Sequence, residues 1–105
     1  MNIESSDIKE ILNLAIQNHQ NNNYAEASKL YEKILKIDPK HFESNFYFGT
    51  LCAQNNNFKK ASKLLNKAIE INPSIPDLHN NLGLILRELG ELEKASKSIN
   101  KAIEI

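Results

Sequence analysis

Three features of this 105-residue chain predict an all-α solenoid of antiparallel helix pairs: a period of 34 residues, apolar residues at helical spacing, and prolines that close the units. Ala27-Ser28-Lys29, Ala61-Ser62-Lys63 and Ala95-Ser96-Lys97 recur in register, each following an apolar Tyr24, Phe58 or Leu92 by three residues. Downstream, Lys33-Ile34-Leu35-Lys36-Ile37, Lys67-Ala68-Ile69-Glu70-Ile71 and Lys101-Ala102-Ile103-Glu104-Ile105 keep the same phase. Pro39 and Pro73 end the first two of these runs, because proline disfavours helical geometry in the residue before it. The chain thus divides into an N-terminal tail, 1–7, and one repeat domain, 8–105, with units 8–41, 42–75 and 76–105. The last unit stops four residues short of a full period.

Each unit reads as helix A, a short turn and helix B. In the first unit, Asp7 with Glu10 three residues later has the form of a capping box. The turns fall on Asn21-Asn22-Asn23 and Asn55-Asn56-Asn57, where the third unit has Leu89-Gly90-Glu91. Asn22 and Asn56 therefore align with Gly90, at a position that suits the left-handed conformation, which Asn tolerates better than most residues. Pro76 fits the first turn of the third helix A, where its missing N–H costs nothing. Along that helix Leu78, Leu82, Ile85, Leu86 and Leu89 step by threes and fours, and along its partner Leu92, Ala95, Ile99, Ala102 and Ile103 do the same. Ala15, Gly49 and Gly83 on helix A face Ala27, Ala61 and Ala95 on helix B, small residues placed where two axes must approach closely.

This period and pattern resemble the tetratricopeptide repeat, whose signature places an aromatic, a Leu-Gly pair, a Tyr, an Ala-x3-Phe and a Pro in order. The second unit matches with Phe48-Gly49, Cys52, Ala61, Leu65 and Pro73, and the third with Leu82-Gly83, Leu86, Ala95 and Ile99. The first has Leu14-Ala15, Ala27, Tyr31 and Pro39, with Asn18 at the Tyr place. Ile11, Asn45 and His79 stand where the family has Trp. The resemblance implies a right-handed α-solenoid that binds a protein or peptide in a concave groove lined by the A helices.

By the same resemblance the groove-facing places hold Lys9, Leu12, Asn13, Ile16 and Gln20 in the first unit. They hold Glu43, Phe46, Tyr47, Thr50 and Gln54 in the second, and Asp77, Asn80, Asn81, Leu84 and Glu88 in the third. Asn13 and Asn81 are equivalent, with Tyr47 between them, and family asparagines at that place hold ligand backbone; a solvent-facing amide in an Asn-rich chain is the alternative. Phe46 and Tyr47 are adjacent, so only one of them can face the groove fully while the other joins the core. Chaperone-binding members grip a terminal carboxylate with cations, but the matching places here hold Leu12, Ile16, Tyr47, Asp77 and Asn81, and Asp77 would oppose such a ligand.

Composition sets limits on the rest. Thirteen Lys and Arg balance 13 Asp and Glu, which gives no electrostatic reason to expect nucleic acid or a membrane as partner. Cys52 is the single cysteine and sits inside helix A, so it reads as a small buried hydrophobe. His19, His41 and His79 lack neighbours at ligand spacing, and no phosphate loop or nucleophile motif occurs, so no cofactor, no metal and no enzymatic activity are expected. The acidic N-terminal stretch is unlike a secretory signal, and a cytoplasmic location is expected. Repeat arrays need polar caps at their ends. The final apolar helix therefore suggests a piece of a longer protein, such as a targeting module beside a transferase-type domain, or a homo-oligomer formed through open repeat ends.

Overall fold

The computed structural model describes residues 5–90 and 92–104. They form six helices: α1 (Ser5–Gln20), α2 (Tyr24–Ile37), α3 (Phe42–Gln54), α4 (Phe58–Ile71), α5 (Pro76–Glu88) and α6 (Leu92–Glu104). Each odd helix packs most extensively on the even one that follows it, giving three hairpins stacked into a body of 45 × 25 × 19 Å. α1 also touches α3, and α3 touches α5, whereas the even helices do not approach one another within 8 Å between Cα atoms. The odd helices therefore form the tighter, inner layer, and the stack curves around them.

Helix α1 begins at Ser5, inside the stretch read as tail. Asp7 consequently lies in the first turn, where its charge complements the helix dipole, and it is not the cap of a box closed by Glu10. Pro76 opens α5 as expected, with Ile75 as its N-cap. His41 caps α3, its side chain accepting from the Ser44 N–H at 3.3 Å.

The A-to-B turns obey one rule with two residue types. Asn22, Asn56 and Gly90 all have positive φ, at 63°, 62° and 80°. Beyond the first two, the Asn23 N–H donates to the Asn18 carbonyl and the Asn57 N–H to the Cys52 carbonyl, both at 2.8 Å, which closes the helix end in a Schellman-type cap. A side chain with no local hydrogen-bonding group has no compensation there. Asn56→Ala is expected to cost about 1 kcal/mol and Asn56→Gly only a few tenths, as read by urea unfolding.

The core runs through all three hairpins, with Tyr31, Ile34, Leu51, Leu65 and Leu78 fully buried. Tyr31 stacks on Phe48 across the first junction at 5.7 Å between ring centroids. Lys60 extends over the Phe48 ring, 4.7 Å from its centroid, and donates to Glu32 at 3.1 Å. Ala15, Ala27 and Ala61 are buried at the close helix approaches, as are Gly49 and Gly83; Ala95 lies outside the residues whose side chains are described. Leu89 caps α5 and is exposed, unlike the four apolar residues before it in the series. On α6, Ile99 and Ala102 are half-buried, but Ile103 is 78% exposed, where its repeat equivalents Leu35 and Ile69 pack against the core.

The family's Trp position has acquired a polar function. Asn45 is fully buried, and its Nδ2 donates to the Pro39 carbonyl at 3.1 Å and the His41 carbonyl at 2.9 Å. His79, 34 residues on, donates from Nε2 to the equivalent Pro73 carbonyl at 2.7 Å. Each thus fastens its helix to the turn that ends the preceding unit. Asn45 Oδ1 has no partner of its own, so the fastening leaves one buried acceptor unsatisfied.

Candidate functional site

The inner layer carries two adjoining pockets, one at each junction between units. The first, about 460 Å³, is lined by Ile16, His19, Gln20, Tyr24, Tyr31, Tyr47, Thr50 and Gln54, together with Asn22. The second, about 430 Å³, is lined by Thr50, Ala53, Gln54, Phe58, Leu65, Asn81, Leu84 and Glu88, together with Ile85 and Arg87. Adding 34 to the first eight residues of the first pocket yields the first eight of the second, so these are two copies of one subsite. Thr50 and Gln54 belong to both and join them into a continuous groove.

The copies differ chemically. In the first, His19 Nε2–H donates to Gln54 Oε1 at 2.7 Å while the Tyr31 hydroxyl donates to Nδ1 at 3.1 Å, an assignment fixed by the amide oxygen being an acceptor only. The His19 ring also meets Tyr24 and Tyr31 edge-on, at 5.6 and 6.0 Å between centroids. An aromatic, hydrogen-bonded clasp from unit one to unit two thus lines this subsite. At the equivalent place in the second subsite stands Ala53, and Phe58 and Leu65 replace Tyr24 and Tyr31. Alanine in place of histidine, with the loss of both hydroxyls, makes this wall the more apolar of the two, while the subsites remain alike in size. Leu84 lines it while 46% exposed.

Of the groove residues named from sequence, Ile16, Gln20, Tyr47, Thr50, Gln54, Asn81, Leu84 and Glu88 come together in these two subsites. All lie in the middle or C-terminal half of their helices. Lys9, Glu43 and Asp77 are exposed nearer the N-terminal ends, and with Asn13 and Asn80, also exposed, they line neither pocket. Asn13 and Asn81 are accordingly not placed in one pocket: Asn81 lines the second, and Tyr47 is its counterpart in the first. Leu12 and Phe46 are partly buried against the core, while Tyr47, 37% exposed, turns to the groove with its ring stacked on Phe46 at 5.4 Å. Thr50 donates its hydroxyl to the Phe46 carbonyl at 3.0 Å, which fixes its rotamer at the shared wall.

Sequence reasoning missed His19, Ala53, Phe58 and Arg87. The signal was present in the register: His19, Ala53 and Arg87 are equivalents spaced by 34, one place before Gln20, Gln54 and Glu88. Cys52 lies beneath this face, 4% exposed, and burial pushes its thiol pKa up, so it is a poor nucleophile. No group of three or more His, Cys, Asp or Glu among the described residues could hold a metal. No helix among them is long and apolar enough to cross a membrane.

Stacked hairpins with a groove along their inner layer define a tetratricopeptide-type repeat protein. Residues 20–102 match the family model described as anaphase-promoting complex, cyclosome, subunit 3, and the chain belongs to that family. No curated protein matches the chain. Among solved structures, MamA is similar with a TM-score of 0.87 and 18% identity, covering 92% of this chain and 57% of that one. The CopN-Scc3 complex gives a TM-score of 0.91 and 16% identity over 95% of this chain and 59% of its own. An O-GlcNAc transferase mutant of Thermobaculum terrenum gives a TM-score of 0.87 and 26% identity over 99% of this chain but 20% of its own. The chain therefore spans little more than half the length of the first two and a fifth of the third.

Proposed function

We propose that this chain is a non-enzymatic, cytoplasmic scaffold that holds a segment of a partner protein along its inner groove. One observation carries the reading: two copies of a subsite, joined through Thr50 and Gln54, form a track crossing all three units. Such a track suits an elongated ligand better than a small molecule, because side chains of one segment can occupy successive subsites. Membership of a family described as a subunit of a complex, and likeness to a complex such as CopN-Scc3, support protein as the partner class.

The test is retention from lysate of the source cells by the immobilised chain, beside Asn81→Ala/Leu84→Glu with unchanged helicity by circular dichroism. Both replaced side chains lie outside the deepest core, so folding is expected to survive. A partner held by the native chain is expected to be retained at least tenfold less by the variant, the scale of losing one central anchor. Equal retention by both would remove the groove as the recognition surface. A second reading, that the chain serves as a substrate-presenting module of a longer transferase, is favoured by its likeness to part of the O-GlcNAc transferase chain.

A further inference from the structure

The wall that the two subsites share carries two polar side chains, Thr50 and Gln54, one turn apart on α3. The hydrogen bonds around them leave each with a single sense. His19 Nε2–H donates to Gln54 Oε1 at 2.7 Å, so the Gln54 amide nitrogen, with two hydrogens and no partner among the described residues, is the end presented to the groove. The Thr50 hydroxyl commits its only hydrogen to the Phe46 carbonyl at 3.0 Å and keeps lone pairs for an incoming donor. The relay behind Gln54 is anchored deep, because the Tyr31 hydroxyl that donates to His19 Nδ1 belongs to a fully buried side chain. One fixed donor and one fixed acceptor thus stand side by side where the subsites meet.

We infer that this shared wall reads the main chain of an extended peptide: Gln54 Nε2 donates to a peptide carbonyl, and Thr50 Oγ1 accepts from the N–H of the same ligand residue. This rests on the groove being the binding surface. When side chains of an elongated segment enter the subsites on either side, the stretch lying over the wall between them is backbone. In an extended strand the N–H and C=O of one residue point to the same edge, as they do when two strands exchange a pair of hydrogen bonds. Side chains four apart on a helix stand about 5–6 Å from each other at Cβ, close enough to meet both groups. Asparagines were the sequence's candidates for this role, but Asn13 lines neither pocket and Asn81 only the second, whereas Thr50 and Gln54 line both. His19 is a positioning residue here: without its N–H the Gln54 amide is free to turn its oxygen outward and reverse the sense of the contact.

The probe is the strongest binder selected on the immobilised chain from a displayed library of random decapeptides. It is remade with a fluorescent label and with each peptide bond in turn replaced by an ester, which removes that bond's N–H and weakens its carbonyl as an acceptor. Two adjacent bonds are expected to be sensitive, each ester weakening the probe about threefold or more. In Thr50→Val one of these two losses should vanish, and in Gln54→Met the other. Gln54→Glu keeps the oxygen that His19 holds and changes only the outward atom, so it should retain helicity and weaken the probe about tenfold or more. In His19→Phe the penalty of adding Gln54→Glu should shrink, a coupling that a merely structural histidine would not produce. Unchanged binding by Gln54→Glu and Thr50→Val, with Asn81→Ala/Leu84→Glu still weakening the probe, would overturn this inference and leave the groove reading standing. Ester losses that persist in both Thr50→Val and Gln54→Met would do the same. A probe indifferent to every groove variant, or no selection at all, would overturn both.

Discussion

Leu65→Ala is expected to lower stability by about 2–5 kcal/mol, the range for emptying a fully buried leucine site. In its company, Gly49→Ala should change from harmful to favourable. A Cβ on Gly49 would lie 2.9 Å from both Cγ and Cδ2 of Leu65 and 3.3 Å from Cβ of Leu64, distances at which a neighbour must move. Leu65 is fully buried against α3, and relieving the contact would drive it from its packed position into the second subsite. Alone, then, the added methyl costs about 1–3 kcal/mol of overpacking against about 1 kcal/mol gained in helix propensity, and the overpacking wins. With Leu65 shortened, the methyl enters vacated space and the propensity gain remains. A double-mutant cycle by urea unfolding should therefore show coupling above 0.5 kcal/mol. Additive losses would mean that Gly49 is there for some reason other than Leu65. The central unit touches both others, and arrays of this kind need about three units to be stable, so its loss should unfold the chain as a whole.

The same pair shows why the fold was legible from the sequence. A glycine in mid-helix opposite an Ala-x3-Leu is a local conflict of propensity that only close packing resolves, and the 34-residue period repeats the conflict until it reads as a rule. Asn22 and Asn56 could be assigned to left-handed turns for a like reason, because Gly90 stands in register with them. The site was less legible. Register alone could say that residues 16, 50 and 84 face one way, but not that the chemistry of each subsite's wall depends on the residue three places on. His19 and Ala53 stand in register, and only in three dimensions does the difference between them become one clasped subsite and one with a more apolar wall.

Between pH 10 and pH 12 the chain is expected to lose about 2–3 kcal/mol of stability through one side chain, Tyr31. Its phenol is fully buried, and its pKa is pushed up to about 12, chiefly by burial and in smaller part by Tyr47. In the unfolded chain the same group titrates near pH 10. Below pH 10 both states keep the proton, and the full stability is present. From pH 10 upward the unfolded state ionises while the folded state resists, so each pH unit favours unfolding by about 1.4 kcal/mol until the folded pKa is reached. Tyr31→Phe removes this dependence. At neutral pH it should cost only about 1 kcal/mol for the lost hydrogen bond to His19, yet by pH 12 the variant should be the more stable of the two. Unfolding midpoints by circular dichroism at pH 8, 10, 11 and 12 would show the crossing. Parallel curves would mean that the first junction opens to solvent often enough for Tyr31 to ionise in place. The His19 clasp would then be a mobile wall of the first subsite.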